Sequence, residues 1–272
     1  MSSCPAYDQL VAALRKRHHI REIEGLLSWD EQVNLPEGSA TFRAEQASIL
    51  ASISHREATS PELAGLLRAT EHNASALNTD EHLNVREARK EYDRLAKLTP
   101  EFAAEKAALD SEGFHAWLHA RSNNDYAAFE PILQRRVELA QLEALSVGYS
   151  QAEAYDYWLD QFDPGLTCQR LEPLFTELAQ TLPALSKEIL AAASDFTPVS
   201  LTGFHERDQE RFARTVIERL GFQFNRGRLD RAPHPFCSGC GHDTRLTTRY
   251  APDQPLDSLF GAIHEAGHGM YE

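Results

Sequence analysis

The chain has 272 residues, with 41 acidic side chains against 27 lysines and arginines and a net charge of -14. That acid excess, spread along the chain without a basic stripe, argues against nucleic-acid backbones and anionic membrane surfaces as partners and favours cationic peptides. No apolar run is long enough to span a bilayer, the opening residues carry no basic-then-apolar leader, and four cysteines are too few for a disulfide framework, so a reducing, cytoplasmic setting is expected.

Apolar residues at helical spacing, such as Leu10, Val11 and Leu14, predict helices over 7–27, 40–58, 61–73, 79–97, 100–122 and 125–148. Asn34 to Gly38 reads as a turn, Thr99 as an N-cap with Pro100 at the first helical position, and Ser122 to Asp125 as a second break. Two further helices are expected, over 167–194 with an interruption near Pro183 and over 205–220 with Gly221 as its C-terminal cap. From Gly221 the chain becomes rich in Gly, Pro, Thr and Arg. Thr244 to Tyr250 then alternates Leu246, Thr248 and Tyr250 with Arg245, Thr247 and Arg249, which predicts a strand. An edge strand there would let an extended peptide add by main-chain hydrogen bonds. After Pro252 and Pro255, Leu256, Leu259, Phe260 and Ile263 fall at i, i+3, i+4 and i+7, the apolar stripe of a buried helix. The expected organisation is a single, mainly α unit, helical over 1–220, with the strand region and a final helix over 221–272.

That final helix carries His264-Glu265-Ala266-Gly267-His268. Residues four apart share a helix face, so the two imidazoles can grip one Zn²⁺ while the glutamate between them takes a proton from water at the metal. A catalytic zinc takes three protein ligands and leaves a position for water. Glu272 shares the histidines' face but lies about 12 Å along the axis from His264, too far to enclose one ion with them. A bare five-residue match would arise by chance in about one such chain in twenty, which leaves ordinary helix-edge histidines as the alternative. Cys237 and Cys240 raise a Cys₂His₂ site with the same histidines, but 23 residues separate Cys240 from His264, where roughly 12–15 are expected. Two small buried cysteines in a glycine-rich turn are the simpler reading.

His234-Pro235-Phe236, then Asp243-Thr244-Arg245-Leu246-Thr247, then His264 to His268 with Tyr271-Glu272 resemble, in order and spacing, the HPF, DxRxT and HExGHxxYE blocks of the carboxypeptidase Taq family. Leu27-Ser28-Trp29-Asp30 with Pro36 and Arg43-Ala44-Glu45-Gln46 resembles its N-terminal block, and Phe162-Asp163-Pro164-Gly165 a mid-chain one. The likeness covers essentially the whole chain and about the N-terminal half of the family's protein. It implies a mostly helical, clamshell-type metallopeptidase portion with a small β-sheet next to the zinc helix, cytoplasmic and usually homodimeric, which removes C-terminal residues from peptides with broad specificity. Zinc is the implied cofactor, with cobalt as an alternative ion. On this resemblance His264 and His268 are the metal ligands and Glu265 is the catalytic base; His234, in the turn before the strand, and Arg245, on the strand face of Asp243 and Thr247, are candidate substrate-binding residues. His234 otherwise braces a turn, and Arg245 otherwise pairs with Asp243. The family's third ligand, a glutamate in a later His-Glu block, has no position in this sequence. A non-catalytic chain with a weak two-histidine site, acting by association with another chain, is therefore the second reading. Gly269 and Met270 stand where the family usually has Ala-Leu, and Gly269 is expected to weaken the helix by about 1 kcal/mol relative to Ala.

Overall fold

The computed structural model describes residues 4–193, 199, 201–239 and 242–271. Cys240 and Glu272, both weighed above as metal ligands, lie outside them. Side chains folding back onto free amides set where the helices opening at Pro61, Thr79, Pro100 and Cys168 begin. Helix α1 spans Pro5–Val33 and α2 Ala40–Ala58. Ser60 Oγ accepts from Leu63 N at 3.2 Å to open α3, Pro61–His72. Asn78 and Glu81 exchange side-chain and backbone bonds of 3.0 and 2.9 Å to open α4, Thr79–Leu95. Thr99 caps α5, Pro100–Asn123, by accepting from Phe102 N at 3.1 Å, and Asn124 closes it in the left-handed region at φ 53°. Helix α6 covers Tyr126–Val147, and α7, Ala154–Phe162, is a short element that no periodicity in the sequence had announced. Helix α8 runs unbroken over Cys168–Ala192 through Pro173 and Pro183, against the expected interruption. Each proline removes one hydrogen bond, and the bonds of the flanking turns carry the helix past it. Helix α9, Glu206–Leu220, ends at Gly221 with φ 118°, the glycine cap expected there.

The strands are β1 (Gly227–Arg231), β2 (Cys237–Ser238) and β3 (Thr244–Thr248), followed by α10, Pro255–Tyr271. The mainly helical fold with a small sheet beside the last helix is thus borne out. Sheet order is β1-β3-β2, with β3 parallel to β1 and antiparallel to β2. Strand β3 is therefore the centre of the sheet and has no edge open to a peptide. Its burial reflects this: Thr244, Leu246, Thr247 and Thr248 are all buried, Thr247 on the face opposite the other three.

Two compact units are present, Met1–Arg136 with Leu201–Glu272, and Val137–Ser200. In the second, Tyr157 OH donates to the buried Glu143 at 2.6 Å, Trp158 Nε1 donates to Ala140 O at 3.1 Å, and Asp156 accepts from Cys168 N at 2.7 Å. The first has two apolar centres. Tyr7 and Leu10 of α1 pack with Leu63 and Leu67 of α3 and with Val85 and Ala88 of α4. Ala213 and Ile217 of α9 pack with Phe222, Leu229 and Leu246 and with Ala262 and Ala266 of α10.

Within the first unit, consecutive residues at the end of α1 reach the sheet, α2 and α5. Trp29, 4% exposed, lies under the guanidiniums of Arg245 and Arg228, 4.1 and 4.8 Å from its ring. Asp30 accepts from Arg43 of α2 at 2.5 Å. Glu31 accepts from Ser111 Oγ of α5 at 2.5 Å and stands 3.0 Å from His115 Nε2. Hydrogen bonding from Arg43, chiefly, holds the Asp30 carboxyl below its usual range. A depressed folded-state pKa means that the unfolded chain binds the proton more readily. This contribution is therefore complete above the unfolded Asp value, about 3.9, and disappears as pH falls through the lower folded value. Asp30→Asn should accordingly flatten the acid side of a melting-temperature profile between about pH 5 and pH 2. An unchanged slope would contradict the role given to this pair.

Candidate metal centre

Helix α10 buries Ser258, Ala262, Glu265 and Ala266, whereas Leu256 and Phe260 are exposed. The buried face is thus the small-residue one, rotated from the Leu256–Ile263 stripe expected, because the helix lies very close to β3. A Cβ on Gly269 would come within 2.5 Å of Thr244 Cγ2 and 3.1 Å of Leu246 Cδ2, and one on Gly261 within 3.1 Å of Thr248 Oγ1. This reverses the expectation for Gly269: alanine's helix propensity of about 1 kcal/mol is outweighed by overpacking, typically 1–3 kcal/mol. Gly269→Ala should lower the melting temperature, and a rise would contradict the packing described.

The start of α10 is tied down by a buried network. Ser258 Oγ donates to Gln209 Oε1 at 2.8 Å, Gln209 Nε2 donates to Phe204 O and Ala251 O at 2.9 and 2.8 Å, and Thr248 Oγ1 donates to Ser258 O at 3.1 Å. The helix is in this way fixed at both ends of its contact with the sheet.

On the free side, His264 and His268 are exposed and bring their Nε2 atoms within 3.2 Å, with rings edge-on at 84°. Two nitrogens on one tetrahedral Zn²⁺, each at about 2.0–2.1 Å, stand about 3.3 Å apart. The pair therefore has the spacing of two adjacent corners of such a site. Glu265 is buried, 7% exposed, and among the described residues no hydrogen bond or ion pair engages it. No third histidine, cysteine or carboxylate completes a metal cluster among the described residues. Cys237, expected to be buried, is half-buried, because the two-residue strand β2 is only partly covered.

The residues of the second sequence block each hold another part in place. Asp243 receives two bonds of 3.0 Å from Arg245, whose guanidinium lies over Trp29. Thr247, fully buried, accepts from Phe236 N at 2.9 Å and donates to Phe236 O at 3.2 Å, and its own amide donates to Phe236 O at 2.9 Å. This fixes the His234-Pro235-Phe236 turn, whose Pro235 ring abuts α10 at Gly261. His234 is exposed on that turn. Of the two roles open to Arg245, the geometry favours the brace, since its donors are engaged by Asp243. Thr247 closes the Asp243 to Thr247 block read from the sequence, which gave it no role of its own.

The sequence profile described as carboxypeptidase Taq (M32) metallopeptidase matches residues 9–272. This chain belongs to that family. Among M32 relatives, the thermostable carboxypeptidase 1 of Thermus thermophilus is 31% identical over 98% of this chain and 55% of its own. The M32 carboxypeptidase structure from Deinococcus radiodurans R1 superposes with a TM-score of 0.81 at 32% identity, covering 98% of this chain and 53% of that one. The BsuCP crystal structure gives a TM-score of 0.91 at 29% identity, covering 98% and 54%. The chain thus spans about half the length of the relatives it matches.

Proposed function

We propose that this M32 chain supplies two histidine ligands and the general base of a zinc-dependent metallocarboxypeptidase that removes C-terminal residues from peptides, with cobalt able to replace zinc. The observation that supports this most is the 3.2 Å approach of His264 and His268 Nε2 on a helix that also carries the unengaged Glu265. When bound, the ion would supply a Lewis acid. Glu265 is suited to accept a proton from the attacking water and return it to the leaving amine, because no salt bridge competes for its carboxylate. His234, exposed on a turn clamped against α10, is proposed as a contact to the peptide. Arg245 is proposed as the residue that keeps the sheet and Trp29 in register.

The second reading is a weak two-histidine site without turnover; among the described residues no third His, Cys, Asp or Glu groups with the pair. Incubating the purified chain with zinc or cobalt and an N-terminally blocked peptide separates the two. Metal-dependent release of the C-terminal amino acid, stopped by a chelator, supports the peptidase. Metal uptake without release supports the second reading for this chain.

A further inference from the structure

Although the chain is acidic overall, Arg15-Lys16-Arg17-His18-His19-Ile20-Arg21 holds four cations, two histidines and no carboxylate. The even charge distribution expected from composition fails here, on α1. Lys16 turns toward α2, where it pairs with Glu57 at 2.7 Å. Arg15, Arg17 and Arg21 line a groove of about 560 Å³ between α1 and α4, whose floor includes Tyr7, Val11 and Leu14. Tyr7 is held in that floor by Asn84 Nδ2, which donates to its hydroxyl at 2.8 Å.

The charges in this groove do not balance. Arg17 is nine-tenths buried, and both it and Arg21 reach the same oxygen of Glu91, each at 3.3 Å. One carboxylate oxygen thus serves two guanidiniums, and most of their N–H donors remain unspent. The other carboxylate in the lining, Glu87, is engaged by Arg86 at 2.7 Å. Arg15 adds a further cation that no ion pair engages among the described residues. A buried guanidinium sharing its counter-ion gains from a second anion, and the apolar floor gains from an apolar side chain.

We propose that the α1–α4 groove docks an acidic peptide segment in which a carboxylate-bearing residue stands beside an aliphatic or aromatic one. The carboxylate meets the Arg17–Arg21 pair, whose planar forks suit bidentate recognition, and the neighbouring side chain covers Leu14 and Tyr7. Polyphosphate backbones fit less well, since Glu87 and Glu91 stand on the opposite wall and the floor is largely apolar. The site is independent of the metal helix and does not rest on the peptidase reading.

The test is fluorescence anisotropy with a labelled alternating Glu-Leu octapeptide and its Lys-Leu counterpart. The expected result is binding of the Glu-Leu peptide alone, weakened by added salt and reduced roughly tenfold or more in R15E/R21E. R15Q/R21Q, which introduces no new repulsion, should weaken binding by a smaller factor with an unchanged melting curve. Equal binding of both peptides, no binding of the Glu-Leu peptide, or full binding by R15E/R21E would overturn the proposal. So would a concentration-dependent self-association that R15E/R21E abolishes, because a second copy would then occupy the groove.

Discussion

Trp29→Ala is expected to lower the stability of the chain by about 3–5 kcal/mol, as removal of a fully buried indole does in other cores. The indole is 4% exposed and carries two cation–π contacts, to Arg245 at 4.1 Å and Arg228 at 4.8 Å, each worth roughly 0.5–2 kcal/mol. These arginines face each other across the β1–β3 ladder, so the loss reaches the strands that support α10. Trp29→Phe should cost much less than the alanine change. Trp29 Nε1 is buried without a hydrogen-bond partner among the described residues, and replacing it forfeits no polar contact. Arg245→Ala should destabilise in the same direction, and the double variant with Trp29→Ala should fall short of the sum because the two side chains share one contact. Thermal melts of the four variants check this; a Trp29→Ala cost within about 1 kcal/mol would show that the anchor is not where the structure places it.

Glu265→Gln is expected to lower metal-dependent release of a C-terminal residue by about 10²–10⁴-fold, the usual contribution of a positioned general base. The amide keeps the volume and much of the packing of the buried side chain but cannot accept the proton. Cation uptake by His264 and His268 should persist in this variant, since the two imidazoles and not Glu265 are the proposed ligands. Loss of turnover together with loss of metal would assign Glu265 to holding the site, and unchanged turnover would remove it from the chemistry.

Much of this architecture was legible in the sequence, because local signals and tertiary structure agree. Thr99, Gly221 and the helices over 40–58 and 61–73 were read from capping residues and periodicity that need no distant partner. What escaped depends on long-range contact. Strand β1, Gly-Arg-Leu-Asp-Arg, buries only Leu229 and spends its charges on Arg228–Asp230 and Arg231–Glu206 pairs, so it shows no apolar alternation. The buried face of α10 was misjudged for a related reason. Its Ala262 and Ala266 are buried and its Gly269 lies against Thr244 because of how close the sheet comes, a distance no one-dimensional pattern records, while the bulkier Leu256 and Phe260 are left exposed. At the metal centre, the residue types and their spacing were readable. The clamp of Thr247 on the His234 turn and the engagement of Arg245 by Asp243 and Trp29 were visible only once the strands were paired.

Calorimetric titration of cobalt or zinc into the wild-type chain, His264→Ala and His268→Ala tests the central claim most directly. The account expects one ion per chain, with affinity falling at least roughly tenfold when either histidine is removed. Uptake that is indifferent to both substitutions, or that moves with Cys237→Ser instead, would contradict it.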